Sequence, residues 1–230
     1  VNPPVPPSAV SSAPAVWRAH RAAPAGFAAA PLSPAQLGPD WQPLQQAWRD
    51  SGAEPDFQPG WARITWQDSA LCYDALFTGA RSRNRARRLN EPTWELGDVA
   101  EIFLQGPRAD DPGYIELHVT PENQRLQLRW TPDGLGRVRR GELPIEQFMV
   151  ADPDWVESRV ELRPNFWSVQ AVLPVHRLGL RPLTAGTRLL TAVCRYDCGD
   201  KPEPVLSSTA ALHAPSYHRR QDWHELVLVG

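Results

Sequence analysis

Asp98-Val99-Ala100-Glu101-Ile102-Phe103-Leu104 and Tyr114-Ile115-Glu116-Leu117-His118-Val119 decide the fold class of this 230-residue chain. Between them runs Gly106-Pro107-Arg108-Ala109-Asp110-Asp111-Pro112-Gly113, a stretch of turn-forming residues. Two short apolar runs joined by such a stretch read as a hairpin. Along a strand, successive side chains point to opposite faces. With Ile115, Leu117 and Val119 on the core face, Glu116 and His118 face the other way. The same parity turns Ala100, Ile102 and Leu104 inward and Glu101 outward. If the two strands pair, Glu101, Glu116 and His118 form one polar patch, with Trp94 at its rim.

Working outward, period-two alternation recurs. Ala62, Ile64 and Trp66 alternate with Arg63 and Thr65, and Leu71, Tyr73, Ala75 and Phe77 alternate with Cys72, Asp74 and Leu76. Gln67-Asp68-Ser69 connects them as a second hairpin. Further strands are expected at Arg125 to Trp130, Ser158 to Leu162, Trp167 to Leu173, Arg188 to Tyr196 and Trp223 to Val229. Thr131-Pro132-Asp133-Gly134 and Cys198-Gly199-Asp200-Lys201-Pro202 separate some of these. Many short strands and few helices predict an all-β fold, an antiparallel β-sandwich of immunoglobulin-like or jelly-roll-like type with one or two short helices. The helical candidate is Asp40 to Asp50, with Asp40 as N-cap and Trp41, Leu44 and Trp48 on one side. Val16-Trp17-Arg18-Ala19-His20 suits an edge strand. Residues 1–15 form a Pro-rich tail or linker, and residues 16–230 one sandwich domain.

Composition limits the partners. Hydrophobic residues make up 42% and charged residues 22%, which is globular. Twenty-four basic against 26 acidic residues, a net charge of -2, argue against nucleic acid or an anionic membrane as the main partner. No stretch approaches the roughly 18 to 20 apolar residues of a membrane span. Ten Trp against four Tyr and six Phe supply large flat apolar surface for core and for sugar stacking. Cys72, Cys194 and Cys198 are too few for a disulfide scaffold, so buried or free thiols are expected, with a Cys194 to Cys198 bridge as the alternative.

Trp94-Glu95-Leu96-Gly97-Asp98-Val99-Ala100-Glu101-Ile102-Phe103-Leu104 resembles the signature of the family 9 carbohydrate-binding modules, in which a Trp precedes an acidic-hydrophobic strand. Three more segments are similar in order and spacing: Trp61 to Phe77, Trp167 to Leu178, and Ser216-Tyr217-His218-Arg219-Arg220-Gln221-Asp222-Trp223-His224-Glu225-Leu226. Together they cover roughly residues 60 to 230. The resemblance implies non-catalytic binding of an oligo- or polysaccharide, with a sugar held between two aromatic side chains and gripped by polar groups on adjacent strands. Carried over, the aromatic pair is Trp94 and Tyr217, Glu101 is an acceptor, and Glu116, His118 and Arg195 complete the carbohydrate-binding candidates. Two positions differ from the family pattern: Tyr217 stands for a Trp and His118 for an Arg. The family also binds calcium, for which Asp110-Asp111 is the candidate. The resemblance further implies a secreted or periplasmic protein, its signal peptide removed, acting as a monomer. Arg81-Ser82-Arg83-Asn84-Arg85-Ala86-Arg87-Arg88, just before Trp94, reads as a solvated loop or as a selector of acidic sugars.

Three rival functions stay open on sequence. Glu101 and Glu116 could serve as the acid and base of a glycosidase. Met149 with His118, His176 or His213 could ligate haem in an electron-transfer domain. A structural module without a working sugar site would instead bury Trp94 and Tyr217 in the core. Gly-x-Ser-x-Gly, His-Glu-x-x-His and phosphate-cradling Gly loops do not occur, which removes the common hydrolase and nucleotide-binding classes.

Overall fold

A computed structural model describes residues 15–22, 32–80, 82–106, 113–199, 201 and 203–230. Most of the tail over residues 1–15, Arg81 and the calcium candidate Asp110-Asp111 therefore lie outside the described residues. The strands are β1 (Val16–Arg21), β2 (Gln42–Pro43), β3 (Gly60–Gln67), β4 (Ala70–Thr78), β5 (Val99–Gln105), β6 (Tyr114–Val119), β7 (Arg125–Trp130), β8 (Glu157–Arg163), β9 (Phe166–Pro174), β10 (Arg188–Asp197), β11 (Val205–Ser208) and β12 (His224–Val229). Two short helices, α1 (Thr93–Leu96) and α2 (Gly134–Arg139), sit on connections.

Hydrogen bonding links the strands in the order β7-β6-β5-β10-β12-β1-β3-β4-β9-β8, with β11 beside β10 and β2 beside β3. The two halves of this curled sheet pack against each other through one apolar cluster. Ala62, Ile64, Trp66, Tyr73, Phe77 and Trp167 come from one half, and Ile102, Leu104, Ile115, Leu117 and Val119 from the other. The predicted alternation in both hairpins therefore faces the core as expected, and the sandwich is present. It is mixed rather than purely antiparallel, because β1 runs parallel to both β12 and β3. Val16–Arg21 is consequently no edge strand: it joins the two halves, and Trp17 and Ala19 are buried in the cluster.

The helix expected over Asp40 to Asp50 does not form. Leu44 N donates to Gly60 O at 2.8 Å, and Gln45 and Ser208 exchange two backbone bonds of 2.8 and 3.0 Å. Tertiary partners thus take the donors that a helix would use internally, which overrides a short segment's propensity. Trp41 is still a packing residue, buried with Leu32 and Leu76 on the outside of the β3-β4 layer.

The β5-β6-β7-β10 half is covered on its other face as well. A second cluster gathers Phe103, Tyr114, Leu126, Leu128, Trp130 and Trp223 beneath α2 and the 210–223 connection. The face that parity assigns to Glu101, Glu116 and His118 is therefore an interior one, and this decides the character of the site.

Candidate functional site

Strand register assembles the polar group at the floor of this second layer. Glu101 lies opposite His118 across β5 and β6, and Glu116 is two residues before His118 on the same face. All three are buried: 2% of Glu101, 5% of Glu116 and 1% of His118 is exposed. His118 Nε2 lies 2.7 Å from Glu116 Oε1 and 3.4 Å from Glu101 Oε1. The other ring nitrogen, Nδ1, shares a 2.8 Å hydrogen bond with Thr93 Oγ1. Trp130 Nε1 donates to Glu116 Oε2 at 2.6 Å, so both Glu116 oxygens are engaged. No hydrogen bond reaches Glu101 from the described residues.

These environments drive the three groups apart. Burial pushes the Glu101 carboxyl up to about 8, against the pull of His118 and with the push of Glu116. Burial also opposes ionisation of Glu116, but the hydrogen bond from His118, the neighbouring imidazoles and the Trp130 N–H outweigh it and hold this carboxyl below its usual range. For His118 burial favours the neutral ring, yet Glu101 and Glu116 together raise it. Near neutral pH the floor thus pairs a protonated Glu101 with an anionic Glu116, and both carboxyls favour the protonated form of the His118 ring between them. His218 stands close by, its Nδ1 2.8 Å from Tyr114 Oη, and burial keeps it neutral.

Above this floor opens a cavity of about 400 Å³, lined by Trp94, Trp130, Tyr196, Tyr217 and His218 as well as the triad, with Arg139 among its outer residues. Trp94 is half-buried on α1 and meets His118 edge-on, ring centroids 6.0 Å apart. The loop carrying it is firmly held. Buried Asn84 donates to Thr93 O at 2.8 Å and Asp98 O at 3.1 Å, and Arg83 N donates to Asp98 Oδ2 at 2.9 Å. Gly97 ends the turn at φ +143, where a Cβ would stand 2.2 Å from Arg83 O. Only glycine fits that approach.

Tyr217 reaches the same cavity but is anchored as a core residue. It is 4% exposed, its hydroxyl donates to Arg195 O at 2.5 Å and accepts from Ser207 N at 3.1 Å, and its ring packs edge-on against Tyr196. Arg195 does not join the group. Parity on β10 points Cys194 and Tyr196 to the cavity face, while Arg195 turns into the opposite layer. There it donates to Thr78 O at 2.9 Å, lies 3.3 Å from Asp197 Oδ1 and covers the Phe77 ring. Five of the six sequence candidates therefore converge on one cavity. Trp130, Tyr196, His218 and Arg139 were not among them. Pairing of Tyr114 with Trp130 puts Trp130 on the triad's face, a signal present once β6 and β7 are placed side by side. Arg139 had no pattern to mark it.

The described arginines of the 82–88 segment do not line the cavity; Arg88, for one, pairs with Glu91 at 3.0 Å. Met149 packs against the second cluster, and both ring nitrogens of His118 are engaged. All three cysteines are free thiols, with Cys194 donating to Ser208 Oγ at 3.3 Å.

No protein-family model matches this sequence, and no curated protein matches it significantly. Solved structures do. A protein of Bacteroides uniformis for which carbohydrate binding is suggested superposes with a TM-score of 0.64 at 17% identity, over 82% of this chain and 85% of that one. A family 9 carbohydrate-binding module of Caldicellulosiruptor kristjanssonii in complex with glucose gives 0.60 at 13% identity, over 93% and 96% of the two chains. The complex of a family 9 module from that organism with cellotriose gives 0.58 at 13% identity, over 93% and 94%. The chain therefore has the β-sandwich fold seen in the family 9 carbohydrate-binding modules.

Proposed function

We propose that the chain binds carbohydrate without cutting it, holding one sugar residue of an oligo- or polysaccharide in the cavity above Glu101, Glu116 and His118. The carrying observation is the combination of aromatic walls with a convergent polar floor, in a fold whose solved neighbours hold glucose and cellotriose. Trp94 is the accessible stacking surface, and Tyr217 contributes a fixed ring edge. A protonated Glu101 donates to a sugar hydroxyl, while its second oxygen accepts.

The internal bonding of the triad supports a binding role: Glu101 and Glu116 meet through His118 Nε2, 3.4 and 2.7 Å from them, rather than flanking an open gap. Glu116 also accepts from His118 Nε2 at one oxygen and from Trp130 Nε1 at the other, which holds it as a fixed anion of the cavity floor rather than as a free nucleophile. Among the described residues Arg139 is the only arginine or lysine lining the cavity, and it is the group that would meet an acidic sugar. We read residues 16–230 as an exported, monomeric module and residues 1–15 as its tether; among the described residues no helix is long and apolar enough to cross a membrane.

A glycan array carrying neutral β-glucans, uronates and sulfated glycans tests function and sugar class together. Binding to at least one class, abolished by Trp94→Ala, is expected. A blank array with correctly folded protein would remove the proposal.

A further inference from the structure

We propose that Glu101, Glu116 and His118 form a site for a divalent first-row transition ion of the zinc class, set in the cavity floor with one coordination position open to the cavity. The inference goes beyond sugar binding and does not depend on it. One ligand atom from each residue can be chosen so that all three lie within 4.8 Å of one another. At metal–ligand distances of about 2.0 to 2.2 Å, neighbouring corners of a tetrahedron are about 3.4 Å apart. His118 Nε2 and Glu101 Oε1 already stand at 3.4 Å; His118 Nε2 and Glu116 Oε1, at 2.7 Å, need open by less than 1 Å.

The outer contacts are those that orient metal ligands. Thr93 Oγ1 holds His118 Nδ1, which leaves Nε2 to the ion. Trp130 Nε1 holds Glu116 Oε2, which leaves Oε1. Glu101 supplies an independent observation: it is 2% exposed, lines the cavity, and receives no hydrogen bond from the described residues. A buried carboxyl left in this way is costly unless something else completes it. An ion would do so by displacing to solvent the proton on Glu101 and the one between His118 Nε2 and Glu116 Oε1, and the two carboxylates then balance its double positive charge. The imidazole nitrogen selects against calcium and magnesium, which take oxygen ligands, and in favour of zinc, nickel or copper. Three protein ligands leave a fourth position for water or a ligand hydroxyl.

Zinc alone is the probe. Protein stripped with a chelator is titrated with Zn²⁺ by calorimetry and against a zinc indicator dye, for wild type, Glu101→Gln and His118→Gln. One equivalent is expected, with affinity weakened at least about tenfold in each variant. Glu101→Gln keeps the test valid if His118→Gln fails to fold, because Glu101 makes no hydrogen bond to lose. The Co²⁺-substituted protein should show d–d bands without thiolate charge transfer. Absence of zinc uptake by the wild type, uptake unchanged in Glu101→Gln, or a thiolate band from the free cysteines would overturn the site.

Discussion

Replacing Glu101 with Gln should stabilise the metal-free protein, although the residue is buried in a polar cluster. In the unfolded chain this carboxyl ionises near 4.5; in the fold, burial raises it to about 8. Below pH 4.5 both states carry the proton and the group is silent. As pH rises, the unfolded carboxyl releases its proton while the folded one keeps it, so stability falls through the whole interval up to pH 8. The loss is about 1.4 kcal/mol per pH unit, or about 3 kcal/mol by pH 7. Gln does not titrate and forfeits no hydrogen bond, so it removes that loss. Glu116→Gln differs in two respects, because Glu116 is the ionised carboxyl and both its oxygens are hydrogen-bonded; an amide accepts at only one of them, so the change strands either His118 Nε2 or the Trp130 N–H and should cost about 3 to 5 kcal/mol. Urea denaturation at pH 5 and pH 8 reads all three proteins. Glu101→Gln is expected within about 1 kcal/mol of wild type at pH 5 and several kcal/mol above it at pH 8. A pH-independent difference, or a Glu101→Gln variant less stable at pH 8, would refute the charge assignment of the triad.

Other substitutions separate scaffold from site. Tyr217→Phe strands a buried carbonyl and a buried N–H and should lower stability by about 2 to 4 kcal/mol by the same denaturation assay, whereas a residue serving only as a stacking surface would show almost none of this. Arg195→Met removes the donor to Thr78 O and one of the two cations beside Asp197, which keeps Lys201 at 2.9 Å; it should cost about 1 to 3 kcal/mol, yet leave glycan affinity of the folded protein unchanged, measured by calorimetry. Gly97→Ala forces a methyl against Arg83 O at positive φ; roughly 3 kcal/mol of destabilisation and weaker glycan binding are expected together, since Trp94 rides on that turn.

Alternation carried most of what could be read from sequence. Residues 62–77 and 98–119 have one face that must be apolar, so their pairing and the shared side of Glu101, Glu116 and His118 follow from period two alone. The nature of that side did not follow. A sequence shows which way a strand turns a side chain, not whether a later segment covers it, and the cover here comes from α2 and the 210–223 connection. The same blindness explains Arg195, whose parity relative to Cys194 and Tyr196 places it in the opposite layer once β10 is docked on β5. Asp40 to Asp50 went astray for a related reason: its helical spacing is real, but Gly60 and Ser208 claim its backbone. The parallel placement of β1 rests on partners more than 200 residues away in sequence for β12, which no local pattern encodes.

Nuclear magnetic resonance of the indole N–H groups reads sugar binding at the cavity directly, because eight of the ten tryptophans are divided between the two apolar clusters. On addition of the glycan selected by array, the Trp94 and Trp130 indole signals should shift, one as the stacking surface and the other through its bond to Glu116. Trp17, Trp66 and Trp167, in the opposite layer, should stay in place. Saturating glycan that leaves Trp94 and Trp130 unmoved, or that shifts the other three instead, would contradict the account.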